Sequence, residues 1–281
     1  MKKIDKITGK IGLVLLAVVV AMTFNSCDPD ETQTVVNFTN LIWEDNFDGS
    51  GAPDASKWTI TTGDGTAQGI PGWGNNELQT YTGRPENIAV EDGMLKITAR
   101  QEQLDGRNYT SARINTSASG QLQQAYGRFE ARIKLPWGQG LWPAFWMLGT
   151  NSADWPQRGE IDIMENRGDQ PTIIKGSAHG PGYSAGQSVG KDYELTNGRY
   201  DTEFHIFGVE WGPNYINYYV DDVLYQQITP EDVTGEWVFN DNPFYMILNV
   251  AVGGAFSGNP NSETVFPQTM YVDWVRVYAP N

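Results

Sequence analysis

The sequence is short of several things, and each shortage narrows what the chain can be. It holds one cysteine, Cys27, in 281 residues, so no disulfide can form within the chain. Stretches of helical periodicity are scarce, while 31 glycines, 15 prolines and ten tryptophans punctuate the chain. That combination reads as one all-β domain, and no internal repeat divides it. Basic residues are few: 19 Lys and Arg face 34 Asp and Glu, a net charge of −15. Nucleic acid is excluded as a partner, because its binding needs basic patches. Sulfated or carboxylated polysaccharides would be repelled by the same field, so a neutral ligand suits the chain best. The one extended apolar run, residues 11–22, is twelve residues long, too short to span a bilayer as a helix.

That run belongs to an export signal. Lys2, Lys3, Lys6 and Lys10 precede it, and small or polar residues follow it up to Ser26-Cys27. The segment Phe24-Asn25-Ser26-Cys27 resembles a bacterial lipobox, in which the cysteine becomes the lipidated first residue and anchors the protein to a membrane. The expected organisation is a lipoprotein signal peptide over 1–26, a polar flexible tether over 27–37 and one catalytic domain over 38–281. The acidic run Asp28-Pro29-Asp30-Glu31 resembles tethers that carry some lipoproteins to the cell surface. The expected location is therefore the bacterial outer membrane. Cleavage before Cys27 removes four lysines and one aspartate, which leaves the mature chain more acidic still.

The stretch that carries chemistry is Gly159-Glu160-Ile161-Asp162-Ile163-Met164-Glu165-Asn166. Polar and apolar residues alternate, which predicts a strand with Glu160 and Asp162 on one face and Ile161 and Ile163 on the other. Strict alternation would send Glu165 to the apolar face. One extra residue, a β-bulge, turns it back beside the other acids. Two glutamates so placed can hold their carboxyl groups about 5–5.5 Å apart, the separation of a retaining glycosidase in which one attacks and the other donates a proton. Three acids this close cannot all ionise freely, so at least one pKa should rise, as a general acid requires. An ordinary strand with an acidic solvent face has the same composition, and the flanking sequence has to decide.

The flanks read as short strands joined by turns. Residues 40–47 form a first strand, closed by Asp48-Gly49-Ser50-Gly51. Residues 63–74 read as a long loop. It leads into Trp73-Gly74-Asn75-Asn76-Glu77-Leu78-Gln79-Thr80-Tyr81, where two aromatics flank amide and acid side chains. Sugars are held by such sets, aromatic faces on the ring and polar groups on the hydroxyls; a buried Trp73 under a polar loop fits equally. Asp92-Gly93 marks a hairpin between 88–90 and 94–99. Residues 109–115 read as one strand bearing Arg113. Residues 126–135 place Phe129, Ala131, Ile133 and Leu135 on one face. Trp142 and Trp146 differ by an even number and should share the carboxylate face, although core packing also accounts for them. Ile173–His179 should pair with the acidic strand. His179 ends it beside a glycine-rich loop, where sites are often placed, whereas His205 reads as structural. A meander over 206–211, 215–220 and 223–227 turns at Asp221-Asp222. Asn249 interrupts the apolar run Phe244–Val252 and needs buried partners. Residues 270–278 close the domain, alternating Tyr271, Asp273, Val275 and Val277 with Val272, Trp274, Arg276 and Tyr278. The sum is a two-sheet antiparallel sandwich whose polar, aromatic face is open to an extended ligand.

With these residues in place, the chain resembles glycoside hydrolase family 16, and within it the bacterial laminarinases, from about residue 43 to residue 278. The motifs that carry the resemblance lie at 73–81, 126–135, 140–148, 159–165, 204–211, 249–254 and 272–278. The resemblance implies a β-jelly-roll of the concanavalin A-like kind with a concave substrate cleft. It implies retaining endo-hydrolysis of β-1,3-glucosidic bonds in laminarin-like glucan. Glu160 would be the nucleophile, and Glu165 the general acid and then the general base. Asp162 would hold Glu160 by a hydrogen bond and tune its pKa. Asn76, Arg113, Trp142, Trp146, His179 and Asn249 fall on cleft positions that hold the sugars nearest the cut, with His179 also reaching towards Glu165. No metal or organic cofactor is implied for the chemistry. A structural calcium on the convex side would take Asp273 and the backbone carbonyl at Gly93, although the first strand reads Asp45-Asn46-Phe47 where family members often read Asp-Glu-Phe. The spacing E-x-D-x-x-E matches laminarinases, while lichenases of the family use E-x-D-x-E, and agarases and carrageenases share the bulge. The alternatives are an endo-hydrolase of mixed-linkage β-1,3-1,4-glucan or of a galactan, and a non-catalytic glucan-binding protein, whose signature would be the loss of one glutamate, whereas both are present.

Overall fold

The computed structural model describes residues 38–240 and 242–280. The expected signal peptide, the tether and Cys27 lie outside the described residues. The described chain forms one sheet of ten strands and one of seven. The seven-stranded sheet runs, edge to edge, Val189–Glu194, Ile173–His179, Glu160–Glu165, Leu141–Gly149, Phe244–Val252, Arg113–Asn115, Thr59–Thr61. All its pairings are antiparallel.

Alternation along each strand puts the core between the sheets. On Gly127–Lys134 of the larger sheet, Phe129, Ala131 and Ile133 are fully buried, as expected. From the smaller sheet Phe145, Met147, Ile161, Ile163, Leu248 and Val250 join the same apolar cluster. Truncating any of the larger of these to alanine should cost about 2–5 kcal/mol, because a packed interior refills only partly. The opposite face of the seven-stranded sheet points away from this core and carries the polar and aromatic residues. At the 91–94 turn, Asp92 and Gly93 both take left-handed φ, 56° and 71°, the conformation of a two-residue hairpin turn that matches strand twist.

Four expectations need correction. Residues 109–115 are two strands in different sheets, Arg107–Ser111 in the larger and Arg113–Asn115 in the smaller. The chain changes sheets at the fully buried Ala112, and both halves are extended, so a periodicity of two continues through the crossing. The larger sheet is not wholly antiparallel: Gln79–Tyr81 pairs parallel with Arg107–Ser111. The loop over 63–74 contains two 3-10 segments, Thr66–Gln68 and Pro71–Gly74. The last strand, Gln268–Ala279, shifts register between Val272 and Trp274. That bulge at Asp273 lets Val272, Val275 and Val277 all reach the core, where strict alternation put Val272 opposite the other two.

Candidate active site

The acidic strand is bulged where the spacing requires it. Against Leu141–Gly149 the register runs Glu160 to Leu148, Ile161 to Met147 and Asp162 to Trp146, then shifts so that Met164 meets Phe145 and Glu165 meets Ala144. The pairing with Ile173–His179 shifts at the same place. The extra residue sends both Ile163 and Met164 into the core, 1% and 0% exposed. It thereby returns Glu165 to the face of Glu160 and Asp162. Gly159 lets the strand start there: its φ is 78°, and an added Cβ would come within 2.9 Å of the Phe244 ring.

Each acid on this face has its own partners. Trp142 and Trp146, one strand over, both project to it. The indole N–H of Trp142 donates to Glu165 Oε1 at 3.0 Å. Trp155 Nε1 donates to Glu160 Oε2 at 3.1 Å. Asp162 is buried and accepts from Ser177 Oγ at 2.7 Å, with His179 Nε2 at 3.0 Å on the same oxygen. The expected Asp162–Glu160 hydrogen bond is not formed. His179 stands between the two instead, 3.7 Å from Glu160 Oε1. Nor does His179 reach Glu165: it is registered opposite Glu160, at the other end of the acidic strand.

The electrostatics follow from burial. Glu165 is pushed up to about 8, first by burial and then by the charge of Asp162. Glu160 moves in the same direction for the same two reasons. For His179, burial works against the charged form, but Asp162, Glu160 and Glu165 outweigh it and lift the imidazole to about 9. At neutral pH the site thus holds a histidinium among three carboxyl groups, at least one of them protonated.

The rest of the face surrounds this cluster. Trp146 Nε1 donates to Asn249 Oδ1 at 2.7 Å, and the buried Asn249 donates on to Tyr81 OH at 3.2 Å. The Arg113 guanidinium lies between two indoles, 4.7 Å from the Trp73 ring and 4.8 Å from that of Trp146. Its Nε is buried without a partner. Trp73 is itself buried and backs Arg113, so the sequence's alternative of a buried tryptophan holds there. Asn76 is exposed on a left-handed turn, φ 60°. Sequence reasoning missed Trp155, Ser177 and Glu77. Ser177 and His179 are two apart on one strand, a signal that period-two reading could have used; Trp155 lies on a loop and left none. His205 is structural as expected, its Nδ1 2.7 Å from Asp221.

The calcium positions do not come with a ligand set. Asp273 is ion-paired with Arg132 at 2.6 Å, so a cation there would compete with a guanidinium already in place. Gly93 sits in the exposed hairpin turn. Among the described residues, the only convergent group of three or more His, Cys, Asp and Glu is Glu160, Asp162 and His179.

Comparison with known proteins bears directly on this site. The sequence profile of glycosyl hydrolases family 16 matches residues 75–276. A beta-glucanase from Rhodothermus marinus is 44% identical over 252 residues, covering 85% of this chain and 84% of that protein. Glucan endo-1,3-beta-glucosidase A1 from Niallia circulans is 39% identical over 268 residues, 88% of this chain but only 39% of that longer protein. The laminarinase catalytic domain from Thermotoga maritima superposes with a TM-score of 0.82 at 46% identity, over 86% of this chain and 98% of that domain.

Proposed function

The chain belongs to glycoside hydrolase family 16, and from that membership we propose that Glu160 and Glu165 carry out retaining endo-hydrolysis of β-1,3-glucosidic bonds in laminarin-like glucan. The observation that carries the proposal is the bulge. It sets two half-buried glutamates with raised pKa values on one sheet face, on either side of Asp162.

The roles follow from the partners. Glu160 lies next to the histidinium of His179 and accepts the Trp155 N–H, contacts that favour its anionic form. It is the nucleophile. Glu165 lies at the other end of the strand from His179; burial and the Asp162 charge raise both glutamates alike, so its position sets its role. It keeps its proton and is the general acid. Glu160 attacks the anomeric carbon while Glu165 protonates the departing glycosidic oxygen, giving a glycosyl ester on Glu160. Glu165, now a carboxylate held by the Trp142 N–H, takes a proton from water, which cleaves the ester and restores both groups. Asp162 acts through His179 and through its own charge. Arg113, Trp142, Trp146, His179, Asn249 and Asn76 bind the sugars on either side. Trp155, 44% exposed, adds an aromatic wall over Glu160.

A neutral, extended substrate agrees with the net charge of −15. Cys27 is proposed to carry a lipid anchor that holds the domain at the outer membrane. The decisive assay is a panel of laminarin, curdlan, lichenan, agar and carrageenan with linkage analysis of the products. Release of β-1,3-linked oligosaccharides with retained anomeric configuration is expected. Cleavage of agar or carrageenan alone would overturn the reading.

A further inference from the structure

One acid is buried, hydrogen-bonded through both oxygens and used by no step above. Glu77 is 6% exposed. Its Oε2 accepts the Gln79 amide at 2.6 Å and the Tyr81 hydroxyl at 3.1 Å, and its Oε1 accepts the Asn75 amide at 3.3 Å. The hydrogens of this network have one consistent arrangement. Gln79 Oε1 accepts the Val252 N–H at 2.8 Å, so its NH₂ must face Glu77. Trp146 donates to Asn249 Oδ1 at 2.7 Å, so Asn249 must show its NH₂ to the Tyr81 oxygen, 3.2 Å away. Tyr81, having accepted that hydrogen, directs its own proton to Glu77. Donation therefore runs from Asn249 to Tyr81 to Glu77 Oε2, the oxygen that also accepts from Gln79. Arg113, stacked on Trp146, places its charge within reach of Glu77.

We propose that Glu77 is a positioning residue for glucan binding. By taking the Tyr81 proton it keeps the Tyr81 oxygen free to accept from Asn249, which holds the Asn249 amide under the Trp146 indole, so the cleft wall beside Asp162 is preset before substrate arrives. An aliphatic side chain in its place would leave the Tyr81 hydroxyl and the Gln79 NH₂, which both donate to Oε2, without an acceptor. The network would then have to reverse or break, at the cost of a buried polar group left unpaired. The inference rests on the glucanase reading for its kinetic consequence and on hydrogen-bond direction alone for its structural one.

The test is Glu77→Leu, which removes the acceptor, beside Tyr81→Phe, which removes only the linking hydroxyl. Both should raise KM for laminarin about tenfold, with kcat within about threefold, because uniform sugar binding is lost and the chemistry is intact. The double variant should be no worse than Glu77→Leu alone, since both changes cut one chain. The ¹⁵N–¹H indole resonance of Trp146 should move in both single variants, whatever the protein hydrolyses. An unmoved Trp146 resonance in folded Tyr81→Phe overturns the proposal, as does a wild-type KM in both variants. A wild type inactive on every β-1,3-glucan sinks the glucanase reading, and the indole resonance then decides the role of Glu77 by itself.

Discussion

His179 Nε2 stands 3.0 Å from an Asp162 carboxylate oxygen, and that oxygen also receives the hydroxyl of Ser177 at 2.7 Å. The pair makes Asp162 a fixed negative charge inside the site. It also makes His179 a fixed positive one, because the neighbouring acids outweigh burial and lift its pKa to about 9.

Stability should fall as pH rises from about 5.5 to 9. The His179 pKa is raised from 6.5 to about 9, so its contribution is complete below 6.5 and is lost as pH climbs through about 9. Glu165 acts with the same sign: its pKa is raised from 4.5 to about 8, so over that interval the folded state keeps a proton that the unfolded chain releases. The folded state thus binds more protons than the unfolded one across the window, which is the condition for stability to decline with pH. Urea midpoints at pH 5.5, 7 and 9 measure it, and His179→Gln should flatten the slope. A midpoint that climbs towards pH 9 would contradict the account.

The two glutamates should separate cleanly in azide rescue. Glu160→Ala should lose roughly 10⁴-fold or more in laminarin hydrolysis, the loss expected of a nucleophile. Azide should then give a glycosyl azide of inverted anomeric configuration. Glu165→Ala should retain cleavage of substrates with activated leaving groups, and azide should give the retained configuration. Product NMR distinguishes the two, and the reverse pairing would exchange the roles.

Asp162→Asn should move the pH profile of kcat/KM. Burial is the first cause of the raised Glu165 pKa and the Asp162 charge is the second. Removing the charge should shift the basic limb to lower pH by about one unit, the scale of a close like-charge effect. A basic limb that stays in place removes Asp162 from the tuning role.

Cys27→Ala should release the protein from the membrane fraction and abolish incorporation of labelled palmitate in a bacterial host. Unlabelled wild type, or a variant that stays membrane-bound, would end the anchor proposal.

Much of the site was legible because its signals are local. The E-x-D-x-x-E spacing implied a bulge, and the register shift after Asp162 bears that out. The even spacing of Trp142 and Trp146 put both on the acid face, where each indole finds a polar partner. What escaped depends on pairing. The contact between His179 and Asp162 arises from the register of two strands, and the expected Asp162–Glu160 bond gave way to it. The two readings of Trp73, sugar platform and buried support, are separated only by Arg113, which the fold places 4.7 Å from its ring. The ion pair of Asp273 with Arg132 likewise depends on which strands become neighbours.

Alternation and turn chemistry were enough to place most of the strands and, with the bulge, the acid face, because side-chain direction along a strand follows from backbone geometry within a few residues. The tertiary structure alone decided which charges meet, where the chain changes sheets at Ala112 and how the hydrogens run from Asn249 to Glu77. Those outcomes depend on groups up to 173 residues apart, such as Gln79 and Val252, and no local pattern records which neighbour a folded sheet will bring alongside.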